Sequence, residues 1–177
     1  TPLLLVHGLH PFAGLHDVLP VFEAFSTSRP IYAIDLPGFG GSEKTDRPYR
    51  PAMFQEAISD FIQNQIGQPA HVLTLGNASA YASMSAMDEP EWFRSLIMIN
   101  PRGFEMPRPT TLKAQNYRER AMDLFLSYLK IPLWSLPIYD FLASRAKITA
   151  FYHKRFSYSA PGDLIELAYS SAHQAGA

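Results

Sequence analysis

Residues 31–42 read Ile-Tyr-Ala-Ile-Asp-Leu-Pro-Gly-Phe-Gly-Gly-Ser, an apolar run that leads directly into a loop. The first four residues predict a strand, because a short apolar run bounded by turn residues is typical of a strand buried on both faces. The Pro-Gly-Phe-Gly-Gly segment ends that strand, since proline and glycine are the strongest turn signals. The elements on either side of this strand and loop decide the kind of sheet.

Strands and helices alternate around this stretch. The predicted strands are residues 3–6, 31–35, 71–75 and 95–99, and the predicted helices are residues 17–25, 52–66 and 79–87. Such alternation produces parallel strands, because the chain must cross over through a helix before it can run in the same direction again. The first part of the chain therefore predicts an α/β fold, with a doubly wound and mostly parallel sheet and helices on both faces.

The sequence changes in character near Gly103. The residues beyond it contain no convincing strand and are typical of helices broken by prolines. These breaks fall at Pro132, Pro137 and Pro161. We therefore predict an α/β core in residues 1–103 and a helical subdomain in residues 104–177.

Composition excludes several classes of protein. Hydrophobic residues make up 47% of the 177 residues and charged residues 18%, which excludes a disordered chain. The formal net charge of −1 argues against a nucleic-acid partner, because phosphate backbones require clustered positive charge. The chain has no cysteine, which excludes disulfides, thiolate metal sites and cysteine nucleophiles. A cysteine-free chain favours a reducing compartment such as the cytoplasm or the plastid stroma.

Three short segments occur in the order expected of one family. The first strand ends in His7-Gly8, the second is followed by Asp35–Ser42, and the third enters Gly76–Ala80 before a helix. Together these segments resemble the α/β-hydrolase superfamily over the whole predicted core. The resemblance implies an α/β-hydrolase core, with the helical subdomain as its cap.

The ends of the chain lead us to expect that this core is incomplete at both ends. Thr1 is not an initiator methionine and leads directly into a strand, while the chain stops at Ala177 inside the predicted cap. By resemblance, two strands would precede Thr1, and at least two strands carrying the acid and the histidine of a catalytic triad would follow Ala177. A sheet without them has an unpaired edge, so we expect residues 1–177 alone to be insoluble or unstable.

The resemblance also implies a nucleophile in the turn between the third strand and its helix. That turn requires small residues two positions before and two positions after the nucleophile. Gly76 and Ala80 satisfy this requirement around Ala78. The predicted nucleophile position therefore holds Ala78, whose methyl group cannot attack a carbonyl.

Two other registers of the turn are less suitable. With Ser79 as the nucleophile, the bulky Tyr81 would occupy a position that must be small. With Asn77, the attacking group would be an amide, which is a poor nucleophile. Ser79 is more readily interpreted as a hydroxyl at the start of a helix.

The implied oxyanion hole depends on backbone groups. By resemblance its donors are the N–H groups of Leu9 and Ser79, which follow His7-Gly8 and the nucleophile position. The alternative, equally weighted, is that these amides only begin helices. His7 is implied to be structural, and Asn100, at a position where some relatives carry the triad acid, cannot stabilise an imidazolium by charge.

No cofactor or metal motif survives inspection. Residues 38–43 lack the third glycine of a dinucleotide loop, and no Gly-Lys-Ser/Thr phosphate loop exists. His7, His10, His16 and Asp17 carry ligand types that suit a metal. Their spacing follows a loop rather than one face of a helix, so we expect neither a metal nor a cofactor.

The apolar segment 124–142 carries only Lys130 and Asp140 as charges. One interpretation is that it packs over a pocket for a hydrophobic small molecule under the cap. The other is that it forms a surface for a protein partner or a membrane, because aromatic residues favour interfaces.

Three functional hypotheses follow. The chain is a natural relative that lost its nucleophile and acts as a binding or assembly protein, which Asn100 slightly favours. Alternatively, it is a carboxylic-ester hydrolase for hydrophobic substrates, a serine-type enzyme whose nucleophile was replaced by Ala78 in the laboratory. The third hypothesis is an active enzyme of unusual mechanism.

Overall fold

The computed structural model of the chain describes residues 1–45, 48–104, 137, 139–156 and 160–174. Its strands are β1 (Leu3–Val6), β2 (Ile31–Ile34), β3 (Ala70–Leu75) and β4 (Phe93–Ile99). Its helices are α1 (Leu19–Phe25), α2 (Pro51–Asp60), α3 (Ala78–Asp88), α4 (Arg145–His153) and α5 (Gly162–Ala172). No helix in these ranges is both long enough and apolar enough to cross a membrane.

The four strands form one parallel sheet in the order β2-β1-β3-β4. β1 is central, and Leu4 lies opposite Tyr32 of β2 on one side and Val72 of β3 on the other. Helices cover both faces of β1, which explains why Leu3–Val6 is a continuous apolar run. The prediction of four neighbouring parallel strands is confirmed.

Helices cover both faces of the sheet. Leu3 and Leu5 point to one face, where they pack with Val18 and the α1 residue Phe22. The alternate β1 residues point to the other face, which packs against α2 and α3. That larger cluster contains Leu4, Val6, Val72, Ile58, Ile62, Ala78 and Ala82. Each fully buried Leu, Ile or Val contributes about 1.5–3 kcal/mol, so these two clusters stabilise the core.

The second helix runs on as a wider turn before it stops. Residues Phe61–Ile66 continue α2 with π-helical hydrogen bonding. The N–H of Gly67 donates to the carbonyl of Ile62 at 2.9 Å, and Gly67 adopts φ +69°. Glycine ends helices in this way because it enters the left-handed region without strain. The helix predicted over 52–66 and its stop at Gly67 are both confirmed.

The helices of the second part pack over the loop that follows β1. Ile148 and Tyr152 of α4 and Ala168 of α5 form a buried cluster with Phe12. The division near Gly103 stays a prediction. Residues 124–136 and 138 of the apolar segment lie outside the described residues, while Phe141 and Leu142 are exposed.

Candidate functional site

A cavity of about 400 Å³ lies at the carboxyl ends of β1, β3 and β4. Loops after all three strands contribute to it, and α4 and α5 close one side. Its lining comprises Gly8, Leu9, His10, His16, Asp17, Pro20, Leu75, Gly76, Asn77, Ile99, Asn100, Arg102, Tyr152, Arg155, Phe156 and Leu164. Open α/β sheets bind ligands at this end of their strands, so the cavity is the candidate site.

Gly76 forms the turn between β3 and α3. It follows the last residue of β3 directly and adopts φ +57°, a conformation that L side chains rarely take. Its N–H donates to the carbonyl of Ile99 at 3.0 Å, and its own carbonyl accepts from the N–H of Arg102 at 3.1 Å. A Cβ added here would meet no atom within 4 Å. A side chain at position 76 would therefore extend into open space.

Ala78 and Ser79 lie away from the cavity. Ala78 is the first residue of α3 and is fully buried against the sheet beside Val72. Ser79 is also fully buried, and its hydroxyl lies 2.9 Å from the hydroxyl of Thr74. The predicted nucleophile position at Ala78 thus falls inside the core. Ala80 is half-buried and lies two residues further along α3.

Several backbone N–H groups at the cavity donate no hydrogen bond within the described part of the chain. They include those of Leu9, which follows β1, and of Asn77, which follows Gly76. A Cβ added at Gly8 would lie 3.5 Å from the Leu75 carbonyl, so the two loops approach each other closely. The N–H of Ser79, the other predicted oxyanion donor, instead donates to the carbonyl of Gly76 at 3.3 Å.

His7 is fully buried and joins two loops. Its Nε2 accepts a hydrogen bond from the N–H of Leu36 at 3.0 Å. Its Nδ1 therefore carries the proton and donates to the carbonyl of Gly8 at 2.6 Å. With both ring nitrogens engaged and no contact with the cavity, the geometry of His7 is that of a structural residue.

His10, Asp17 and Tyr152 form a hydrogen-bonded group at the cavity wall. Asp17 accepts from His10 Nε2 at 2.8 Å on one oxygen and from the Tyr152 hydroxyl at 2.9 Å on the other. Burial by itself raises the pKa of Asp17, but hydrogen bonding and charge from His10, His16 and Tyr152 outweigh it and hold the pKa below its usual value. Asp17 therefore stays ionised and faces protein groups.

His10 has no nitrogen left for acid–base chemistry. Its Nδ1 accepts the N–H of Phe12 at 3.3 Å, while Nε2 is held by Asp17. A general base must reach the proton that it removes, and His10 is engaged on both sides. No group of three or more His, Asp or Glu residues in the described ranges could hold a metal ion.

The two buried histidines should make the protein less stable in mild acid. Burial lowers the pKa of both His7 and His16 below the unfolded value of 6.5. Below that pH the unfolded chain binds protons that the folded chain does not, so the free energy of unfolding should fall by up to about 1.4 kcal/mol per pH unit for each histidine. The lowered pKa of Asp17 affects stability only near and below pH 3.8, so it adds nothing to the pH dependence in mild acid.

Urea unfolding of the full-length protein between about pH 7 and about pH 5 measures this dependence. His16→Gln should reduce the pH dependence of the free energy of unfolding by the contribution of one histidine. His153→Gln is the matched control, because His153 is exposed. An unchanged pH slope in His16→Gln would contradict the prediction.

The parallel sheet and the cavity at its carboxyl end define a doubly wound α/β protein. A sequence model of the alpha/beta hydrolase family matches residues 3–175, and the chain belongs to that family. The 1-acylglycerol-3-phosphate O-acyltransferase ABHD5 of Rattus norvegicus is 29% identical over 130 residues, covering 64% of this chain and 36% of that protein. A poly(3-hydroxyalkanoate) depolymerase of Ectopseudomonas oleovorans is 32% identical over 99 residues, covering 55% of this chain and 34% of that protein.

Solved structures share the fold at low sequence identity. A serine hydrolase involved in carbazole degradation superposes with a TM-score of 0.67 and 17% identity, over 98% of this chain and 56% of that one. Cfl2 from Burkholderia cenocepacia superposes with a TM-score of 0.68 and 12% identity, over 99% of this chain and 58% of that one. The chain spans about a third of the length of the curated relatives that it matches.

Proposed function

We propose that this chain is a non-catalytic protein of the α/β-hydrolase fold that binds a hydrophobic small molecule, and that Gly76 stands where an active relative carries its nucleophile. The observation that carries the proposal is the turn at Gly76. In α/β-hydrolases the nucleophile sits on a sharp, strained turn directly after a strand, so that its side chain is exposed above the sheet. Gly76 has that location and a left-handed φ, but it has no side chain.

The residues around the turn support this register. Thr74 and Ala78 lie two positions before and two positions after Gly76, and both are small and fully buried. The N–H of Asn77, which follows Gly76, has no partner in the described ranges, as expected of an oxyanion donor. The proposal replaces Ala78 by Gly76 as the degenerate position and Ser79 by Asn77 as the second donor.

No serine or threonine lines the described cavity, and its one carboxylate, Asp17, is hydrogen-bonded through both oxygens. Its one hydroxyl belongs to Tyr152, whose pKa is raised by burial and by the neighbouring charge of Asp17. A phenol that holds its proton so firmly, and whose hydroxyl is bonded to a carboxylate, is a poor nucleophile. The pocket therefore offers binding and polarisation of a carbonyl group without a covalent step.

The second candidate is a carboxylic-ester hydrolase of hydrophobic substrates. Two similar proteins favour this candidate by their names. They are a (lyso)-N-acylphosphatidylethanolamine lipase of Bos taurus and the depolymerase. Those names also make acyl chains the first ligand class to test. This candidate requires a nucleophile that is absent from Gly76 and Ala78.

Activity assays on the full-length protein separate the two candidates. We expect no hydrolysis of 4-nitrophenyl butyrate or decanoate and no labelling by a fluorophosphonate, because loss of a triad nucleophile lowers turnover by about a million-fold. Gly76→Ser should be labelled if the triad acid and histidine are in place, whereas Ala78→Ser should not.

The labelled position decides the outcome. Turnover by the unmodified protein, or fluorophosphonate attached at Ser79, would overturn the non-catalytic proposal. Restored activity in Ala78→Ser would instead establish Ala78 as the nucleophile position and favour a replacement made in the laboratory.

A further inference from the structure

Two arginines line the cavity without a carboxylate partner. Arg102 follows β4 and Arg155 follows α4, and neither has an Asp or Glu oxygen within 4.0 Å among the described residues. Arg145, at the start of α4, shows the contrasting case because it pairs with Glu166 of α5. The lining of the cavity therefore includes two arginines that form no ion pair with these parts of the chain, and both are exposed to solvent.

The one carboxylate of the described lining, Asp17, offsets one of the two positive charges but contacts neither arginine. Both oxygens of Asp17 accept hydrogen bonds, from His10 and from Tyr152. Arg155 uses one donor on the carbonyl of Phe151 at 3.0 Å and stacks on that ring. A guanidinium group has five N–H donors, so most of its hydrogen-bonding capacity remains for a ligand.

Backbone groups add to this positive character. The N–H groups of Leu9 and Asn77 lie at the same cavity and donate to nothing in the described ranges. Gly76 between them leaves open the space that a nucleophile's side chain would fill. A ligand atom can occupy the space beside Gly76, because no atom lies within 4 Å of the position that a Cβ would take there.

The lining also has an apolar part, which comprises Pro20, Leu75, Ile99, Phe156 and Leu164. His16 and Asn100 are polar members of the same lining. A volume of about 400 Å³ is near the lower end of the range for small-molecule pockets, roughly 300–1,000 Å³, which suits one aliphatic chain rather than two. The cavity thus combines a cationic group of donors with an apolar wall.

We propose that the cavity binds an anionic amphiphile, namely a carboxylate or a phosphate monoester on a single medium-length aliphatic chain, with its headgroup on Arg102 and Arg155. This inference rests on the proposed binding function and adds the charge of the ligand to it. Guanidinium groups bind carboxylates and phosphates through paired N–H donors, and these charge-assisted bonds are stronger than bonds to neutral groups. A neutral ester would leave the excess positive charge of the two arginines over Asp17 uncompensated.

Calorimetric titration of the full-length protein tests the inference with three probes of equal chain length: decanoate, decyl phosphate and decanol, each below its critical micelle concentration. At least one anion should bind about tenfold more tightly than decanol, because a charge-assisted pair adds on the order of 1.4 kcal/mol, equivalent to that factor. The anion that binds more tightly identifies the headgroup.

Charge-removing variants then locate the headgroup. Arg102→Gln and Arg155→Gln should each weaken binding of the anion about fivefold and leave decanol binding unchanged. The matched controls are Arg94→Gln and Lys154→Gln, because both residues are exposed, lie on or next to the same elements and do not line the cavity. The controls should bind the anion as the unmodified protein does.

The inference is overturned if decanol binds as tightly as both anions, if none of the probes binds, or if the arginine variants match their controls. Hydrolysis of decanoyl esters would overturn the non-catalytic function instead. It would leave the arginine dependence measurable, so failure of one proposal is distinguishable from failure of the other.

Discussion

A cysteine introduced at position 76 should react rapidly with a thiol reagent in the folded protein, whereas a cysteine at position 78 should react only when the protein opens. Gly76 lines the cavity, and a Cβ there meets nothing within 4 Å. Ala78 is fully buried between α3 and the sheet. Opening of a buried helix requires free energies that approach global unfolding, so the reaction at 78 should be slower by on the order of a thousandfold.

The design removes the usual ambiguities. The chain contains no cysteine, so each variant adds the first thiol to it, and peptide mass spectrometry locates the label. Met87→Cys supplies the rate of a freely accessible thiol, since Met87 is 81% exposed. Gly76→Cys and Ala78→Cys should lower the free energy of unfolding by similar amounts. A side chain on the left-handed backbone at position 76 costs about 1–2 kcal/mol, and overpacking of the core at position 78 costs about 1–3 kcal/mol.

The labelling rates decide between the two positions for the degenerate nucleophile. A cysteine at 78 that reacts as fast as one at 76 would put Ala78 at the cavity and contradict the register that we propose. Slower labelling at 76 in the presence of a bound amphiphile would place the ligand beside Gly76.

The strands were predictable because burial leaves a strong local signal. Leu3–Val6 and Val72–Leu75 are nearly continuous apolar runs, as expected of strands with neighbours on both sides. The end of the helix that continues α2 was equally predictable, because Gly67 takes the left-handed conformation that stops a helix. In each case a few consecutive residues contain the information.

The turn after β3 was harder to interpret, because small residues surround more than one of its positions. Gly76 and Ala80 flank Ala78, while Thr74 and Ala78 flank Gly76. A search for a nucleophile considers side chains and passes over glycine. The useful signal is backbone geometry: the turn residue should follow the strand directly, and β3 ends at Leu75.

The residues that α4, α5 and the chain after α4 contribute to the cavity could not be predicted individually. Tyr152 bonds to Asp17 across 135 positions of sequence, and Arg155 reaches the same cavity from the end of α4. Neither residue belongs to a local motif, since contacts between distant segments depend on tertiary packing rather than on spacing. The positive charge at the cavity became apparent only once the fold brought Arg102 and Arg155 to one site.

Gly40→Ala should destabilise the full-length protein by about 3–5 kcal/mol, because it combines backbone strain with the loss of two hydrogen bonds to a carboxylate. Gly40 adopts φ +50°, and a Cβ there would collide with the carboxylate of Asp35. That carboxylate accepts the N–H of Leu15 and the N–H of Gly41, each at 2.8 Å. Asp35 thus ties the loop after β1 to the loop after β2, and the collision would displace it from both.

A substitution at a second glycine separates the effect of the collision with Asp35 from the effect of backbone strain. Gly67 has φ +69° but nothing within 4 Å of an added Cβ, so Gly67→Ala should cost only the strain of about 1–2 kcal/mol. In the Asp35→Ala background, where the colliding group is absent, Gly40→Ala should likewise cost only that amount. Urea unfolding of the four variants and the unmodified protein measures each difference. If Gly40→Ala is no more destabilising than Gly67→Ala, Asp35 does not hold the two loops in the way that its contacts indicate.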